Sequence, residues 1–246
     1  MNTYLDCSQK WWWGKQGWIE KQTPEPLGLG TALHSAIAAH FKGEDANAVY
    51  DAEIRKIFKG APGRDLLTIG PYMLGKLFAN DTFKRLKIYP DYIEKPLKKV
   101  IGGLTLVGVA DAVGELDGSK VIIDWKTASN PYDEEFYMTM SEQLMAYKIL
   151  TDNTDLASER YGYCIIGKKQ FKGDDPQWLW LDNISQDRID QYISKLGIIA
   201  QRMGRGEHFK QPDERKCVSK GPWQPGCAFY ELCLNKTPTK VSKNDF

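Results

Sequence analysis

The chain has 246 residues, with 33 Lys and Arg against 32 Asp and Glu and a formal charge of +1. Hydrophobic residues at 42% and charged residues at 26% exclude disorder, collagen and coiled coil as the dominant class, and the length leaves room for a substantial core. Near-neutrality argues against a strongly basic coat for nucleic acid, yet it permits a local basic groove beside an acidic site, because opposite patches cancel in the sum. The stretch Met1–Cys7 lacks a charged start followed by an apolar run, so no secretory signal is read. No apolar run approaches the roughly 18 residues that span a bilayer. A cytoplasmic setting without a membrane partner is expected, where thiols stay reduced and five cysteines serve metals or packing rather than disulfides.

In chain order, Leu33, Ile37 and Phe41 recur at helical spacing after Gly30. A break at Gly43 precedes a second helix near Asp45–Phe58, on Val49, Ile54 and Ile57. Residues 66–88 read as helical again, with Gly70-Pro71 as an interruption. The period then changes. Leu104–Leu116 and Lys120–Thr127 are rich in Val and Ile, and Asp117-Gly118 between them predicts a hairpin. A helix is expected over Asp133–Leu150, followed by strands over Tyr161–Gly167 and Gln177–Asn183 with a Lys- and Asp-rich loop between them. Ser185 caps a last long helix on Ile189, Tyr192, Ile193, Leu196 and Ile199. The tail from Gly204 holds three of the five cysteines. The expectation is a mixed α/β fold, with a central mixed β-sheet flanked by helices and a cysteine-bearing lobe.

The chemistry concentrates on the hairpin. Asp124 and Lys126 stand two apart in Val121-Ile122-Ile123-Asp124-Trp125-Lys126, so a strand puts them on one face and turns Ile123 and Trp125 toward a core. Asp111 ends the run Gly108-Val109-Ala110-Asp111 on the preceding strand, and antiparallel pairing through the turn brings it near Asp124. Two carboxylates at one point make a hard-oxygen site for Mg²⁺ or Mn²⁺. A lysine beside that site can orient water and neutralise charge on a phosphodiester under attack. An exposed Asp–Lys pair on a solvated strand is the plain alternative, but an acid inside an apolar strand is costly unless it binds something.

Gly30-Thr31-Ala32-Leu33-His34, Gly108–Asp111, Ile123-Asp124-Trp125-Lys126-Thr127 and Gln143-Leu144-Met145-Ala146-Tyr147 occur in that order. Together they resemble the PD-(D/E)xK nuclease superfamily, and more narrowly its RecB-like exonuclease branch, which includes single-domain nucleases of CRISPR systems and phage recombination. The resemblance implies a restriction-endonuclease-like core over 30–203, with residues 1–29 and 204–246 forming a lobe of the same nuclease domain. It implies metal ligation by His34, Asp111, Asp124, the Trp125 carbonyl and, less directly, Glu94. Lys126 is the implied catalytic lysine. Gln143 and Tyr147, at i and i+4 on one helix face, are implied to join Asp111, Asp124 and Lys126 in the active site. His40 has no motif and is read as structural.

Cys7 precedes this core, while Cys217, Cys227 and Cys233 follow it. Iron–sulfur members of the branch share the split layout, in which a 4Fe–4S cluster pins the chain ends together on four thiolates. The C-x5-C spacing of Cys227 and Cys233 matches that pattern, while C-x9-C from Cys217 to Cys227 departs from the usual C-x2-C. Zinc on Cys217, Cys227 and Cys233 with Cys7 or His208 is a second reading, and plain burial of small apolar thiols a third. Cys164, in a strand-like run, reads as core.

The expected partner is DNA, as ends, single strands or duplex, with recombination or CRISPR-type proteins as further partners in a bacterial, archaeal or phage-infected cell. Lys95, Lys98, Lys99, Lys168, Lys169 and Lys172 are candidates for phosphate contacts. Trp11-Trp12-Trp13 is read either as a stacking surface for bases or as packing. Between residues 51 and 100, eleven Lys and Arg stand against six Asp and Glu, which fits a basic surface beside an acidic site. The activity expected is metal-dependent DNA exonuclease. The alternatives are a structure-specific endonuclease with the same site and a non-catalytic nucleic-acid scaffold built on the cysteine lobe.

Overall fold

The Cys7 thiol accepts the Lys10 N–H at 3.4 Å and caps α1 (Ser8–Lys15). In this computed structural model the described residues are 7–21, 23–59, 63–134, 141–171, 176–182, 184–209, 217, 227–238 and 240–243. After β1 (Trp18–Glu20) comes α2 (Glu25–Phe41). Asp45, whose carboxylate accepts the Asn47 and Ala48 N–H groups, caps α3 (Ala46–Ile57).

Next comes α4 (Arg64–Ala79), which runs straight through Gly70-Pro71. The expected interruption does not occur. Proline costs that helix one hydrogen bond, but Gly70 is needed there, because a Cβ at this position would stand 2.0 Å from Tyr50 Cζ. The helical reading to residue 88 is also too long. Asn80 leaves the helix in extended backbone and its side chain caps the short α5 (Asp81–Arg85) through the Phe83 N–H.

The chain then enters β2 (Lys87–Ile101), β3 (Leu104–Leu116) and β4 (Ser119–Ala128). Asp117 and Gly118 turn between β3 and β4 with φ of 53° and 87°, as the two-residue hairpin demands. Ser141 caps α6 (Glu142–Thr151) through the Leu144 N–H, so this described helix starts later than expected, and residues 135–140 of the expected span lie outside the described residues. β5 (Arg160–Gly167), β6 (Gln177–Asp182) and α7 (Gln186–Gly204) follow, then α8 (Tyr230–Cys233) and β7 (Val241–Lys243).

The chain divides into two compact units. Residues 28–193 hold a five-stranded sheet in the order β2-β3-β4-β5-β6, in which only β4 and β5 are parallel. This is the mixed α/β architecture expected. Alternation along β4 feeds two cores. Val121, Ile123 and Trp125 join Leu33 and Ile37 of α2, Tyr50 and Ile54 of α3, and Met73, Leu74 and Leu77 of α4. Ile122 joins Leu144, Tyr147 and Leu150 of α6 with Tyr163 and Ile165 of β5. Cys164 is fully buried on the first of these faces.

The second unit comprises residues 1–27 and 194–246. In it β1 and β7 pair antiparallel, Glu20 with Val241. No helix of the described residues is long and apolar enough to cross a membrane.

Candidate active site

The site lies where the sheet splits. Pairing of β3 with β4 ends at Ala112 and Ile123. Asp111 and Asp124 are the next residue on each strand, one on either side of the fork. Trp125, just past the split, has a backbone N–H that the ladder no longer uses, and Asp111 Oδ2 accepts it at 2.7 Å. One carboxylate thus stands in for a missing strand partner and is held at the head of the fork.

Asp124 is 2% exposed and projects toward α6, one turn of which closes over it. Its Oδ1 accepts from Gln143 Nε2 at 2.5 Å and from the Tyr147 hydroxyl at 2.8 Å. Its Oδ2 accepts no hydrogen bond among the described residues but faces Lys126 Nζ at 2.5 Å as an ion pair. The same ammonium donates to Gln143 Oε1 at 2.9 Å. Gln143 therefore bridges the acid and the lysine, and also donates to the Tyr147 hydroxyl at 2.9 Å. Tyr147 is placed 2.9 Å from the Val109 carbonyl of β3.

Burial, and then the charge of Asp111, push the Asp124 carboxyl above the usual carboxylate range, against the opposing pull of Lys126 and Tyr147. Burial next to the Asp124 charge likewise holds the Tyr147 hydroxyl neutral well beyond its ordinary range.

His34 enters from α2. Leu33, Ala36 and Ile37 bury that helix against the sheet, and His34 is carried to the fork beside them. Its Nε2 donates to the Trp125 carbonyl at 2.8 Å and its Nδ1 lies 3.4 Å from Asp111 Oδ1. Burial lowers its basicity, but the Asp111 hydrogen bond, the charges of Asp111 and Asp124 and the Trp125 carbonyl outweigh this, so the imidazole is more basic than usual.

The structure thus gathers His34, Asp111, Asp124, Trp125, Lys126, Gln143 and Tyr147 at one place. Among the described residues, no three His, Cys, Asp or Glu side chains stand in ligating array around a common point. Even so, the donor chemistry fits a hard divalent cation: two carboxylates, a carbonyl and an imidazole. Positive charge at the fork would also reverse the burden that burial and Asp111 place on Asp124.

Glu94 is exposed on β2 with φ of 50°, at the register position that faces Asp111, between the pairs Ile93–Ala112 and Lys95–Ala110. Left-handed backbone at a non-glycine residue is strained, and such strain gathers at functional sites.

The basic candidates divide. Lys99 donates to the Ile149 and Asp152 carbonyls at 2.8 Å each and so closes the C-terminal end of α6. Lys95 lies over the Tyr92 ring at 4.0 Å. Lys98 and Lys169 are exposed, and burial lowers the basicity of half-buried Lys168. Lys172 lies outside the described residues. His40 stacks on Phe78 at 4.2 Å.

In the terminal unit, Trp12 stacks on His208 at 4.2 Å and Trp11 tilts against Trp12. Cys7, Cys217, Cys227 and Cys233 are reduced and half-buried. The Cys227 N–H donates to the Cys217 carbonyl at 3.0 Å. Burial raises the Cys227 thiol above its ordinary range, the Phe229 N–H and Lys10 pull it down, and the charges of Cys7 and Cys233 push it up again.

Sequence reasoning passed over Ser141 and Tyr163, whose hydroxyls lie 2.8 Å apart beside the site. The parallel pairing that sets Tyr163 against Asp124 has no local signal, although a Ser three residues before Leu144 carries the mark of a helix cap.

The family model of the PD-(D/E)XK nuclease superfamily matches residues 1–234. Among curated proteins none matches the chain. Among solved structures, the chain is similar to a Eubacterium rectale protein provisionally named an exonuclease, with a TM-score of 0.47 and 10% identity over 72% of this chain and 66% of that one. It thus spans just under two thirds of that protein's length. The crystal structure of SSO0001 is similar with a TM-score of 0.39 and 13% identity, over 96% of this chain and 98% of that one.

Proposed function

The chain belongs to the PD-(D/E)XK nuclease superfamily, and from that premise we propose that it is a Mg²⁺- or Mn²⁺-dependent deoxyribonuclease acting as an exonuclease on DNA ends or single strands. The observation that carries this reading is the fork itself. Asp111 and Asp124 flank the end of the β3–β4 ladder, and Lys126 is held between Asp124 and Gln143. The exonuclease part rests on the resemblance of the four ordered motifs to the RecB-like branch. That resemblance also motivates a setting in recombination, repair or phage and CRISPR DNA processing.

His34, Asp111, Asp124 and the Trp125 carbonyl would hold the cation, with Glu94, at the register position across from Asp111, as a further candidate. When bound, a divalent ion supplies Lewis-acid polarisation of the scissile phosphate and lowers the pKa of the attacking water. The remaining work falls to the chain. Gln143 and Tyr147 hold one oxygen of Asp124 and leave the other directed at Lys126. The Lys126 ammonium, fixed by Asp124 and Gln143, orients the water and offsets the charge that builds on the phosphoryl oxygens. The Asp111 carboxylate, anchored on the Trp125 N–H, keeps the two strands at the spacing the site needs.

The four outer cysteines are the donor set we assign to a 4Fe–4S cluster, with zinc as the alternative metal. They fall in one unit, where the Cys227 N–H donates to the Cys217 carbonyl at 3.0 Å. Four thiolates are the usual ligand count for such a cluster. Exposed Lys98 and Lys169 are the lysines best placed to meet phosphates without giving up an interior partner.

The test is digestion of linear and circular single-stranded DNA of one sequence in Mg²⁺ and in Mn²⁺. The exonuclease reading expects loss of the linear substrate alone. Cutting of the circle would replace it with the endonuclease reading, and binding of either substrate without cleavage would point to the scaffold.

A further inference from the structure

Tyr163 lies on β5 directly across from Asp124 in the parallel register. It is 5% exposed, and its ring centroid is 5.4 Å from Lys126 Nζ, within cation–π reach. Its hydroxyl is hydrogen-bonded at 2.8 Å to Ser141 Oγ, itself buried. Ser141 in turn caps α6 by accepting the Leu144 N–H at 3.3 Å. Two residues past that cap stands Gln143, the second partner of the lysine. One side chain therefore touches both the ammonium and the start of the helix that holds the ammonium from the other side.

We propose that Tyr163 is a positioning residue for phosphodiester cleavage: through its ring and the Ser141 cap it sets where the Lys126 ammonium stands relative to Asp124. This inference rests on the nuclease reading above. It goes further in assigning a role to a tyrosine outside the four motifs. Lys126 is a long, flexible side chain, and a catalytic cation that rotates out of its working place loses rate through misorientation. Asp124 and Gln143 restrain its tip, while the Tyr163 ring restrains the path by which it would swing aside. The hydroxyl ties that ring to α6, so helix and lysine are set together.

The experiment compares wild type, Tyr163→Phe, Tyr163→Leu and Ser141→Ala, alone and with Tyr163→Phe, for Mg²⁺-dependent cleavage of an end-labelled single-stranded oligonucleotide. Thermal unfolding is followed in parallel. Tyr163→Phe keeps the ring and loses one buried hydrogen bond, so kcat is expected to fall about three- to tenfold with KM unchanged. Ser141→Ala removes the Leu144 cap as well as the tie to Tyr163, so it should lower kcat at least as far as Tyr163→Phe, and the double variant should fall no further than Ser141→Ala alone. Tyr163→Leu removes the ring as well and should lower kcat more than Tyr163→Phe; if that variant does not fold, Tyr163→Phe decides. Wild-type kcat in Tyr163→Phe, or a loss that tracks the unfolded fraction, would overturn the positioning role while leaving the nuclease reading in place. A wild-type chain with no metal-dependent cleavage would overturn the nuclease reading and this inference with it.

Discussion

Replacing Gln143 by Leu probes the bridge on which the site depends. Leucine keeps much of the volume and removes all three hydrogen bonds, to Lys126 at 2.9 Å, to Asp124 at 2.5 Å and to Tyr147 at 2.9 Å. Asp124 keeps the Tyr147 hydroxyl at 2.8 Å, and Lys126 keeps its ion pair with Asp124. The expected damage is therefore to orientation rather than to charge. A hydrogen bond to a charged group contributes about 1.5–3 kcal/mol. Losing one such restraint on the lysine in the transition state lowers the rate about 10- to 150-fold. The two charged bonds are not summed, because they belong to one network.

Stability should change little, since Gln143 is only half-buried and Leu144, Tyr147 and Leu150 keep α6 on the sheet. The assay is single-turnover cleavage of an end-labelled oligonucleotide at saturating Mg²⁺, with Lys126→Ala as the inactive reference. If Gln143→Leu cleaves at the wild-type rate while Lys126→Ala is inactive, the lysine does not need this bridge and the reasoning fails.

Gly70→Ala brings a methyl group to 2.0–2.4 Å from the ring of Tyr50, which is 1% exposed and anchored to the Leu66 carbonyl at 2.6 Å. At so close an approach to a buried ring the overpacking cost lies toward the upper end of roughly 1–3 kcal/mol and outweighs a helix-propensity gain of about 1 kcal/mol, so the unfolding midpoint should drop by a few degrees in a thermal scan. His34→Ala deletes one proposed ligand and should raise the Mg²⁺ concentration for half-maximal cleavage at least about tenfold, read from a metal titration of the rate. Cys227→Ser should abolish the visible charge-transfer absorbance expected of anaerobically purified wild-type protein. A colourless wild-type protein that contains zinc would move the lobe to the zinc reading.

The hairpin was the most legible part of the chain. Asp117-Gly118, the Val and Ile runs beside it and the acid on each strand are local signals, and they fix which residues meet at the fork. Gln143 and Tyr147 were legible as a pair, because i and i+4 share a helix face. Other features depend on partners far along the chain. β2 carries Lys87, Lys95, Lys98 and Lys99 with Pro90 and Pro96, a composition that hides a strand. Its place at the sheet edge explains both, since edge strands tolerate proline and favour lysine.

Continuity of α4 through Pro71 was hidden for a similar reason, as it depends on Tyr50 filling the space that Gly70 leaves. The three-residue strands β1 and β7 are too short to show a period and exist only through each other. Tyr163 reads as an ordinary buried strand residue until the parallel pairing of β4 and β5 sets it opposite Asp124.

The most direct test of the central claim is single-turnover cleavage of single-stranded DNA with Mn²⁺ supplied or chelated, by wild type and Asp124→Asn side by side. The fork account expects wild-type cleavage that vanishes on chelation and returns with the metal, and no cleavage by Asp124→Asn at any Mn²⁺ concentration although the variant stays folded. Full metal-dependent activity in Asp124→Asn would contradict it, because the buried acid at the fork would then have no part in the chemistry.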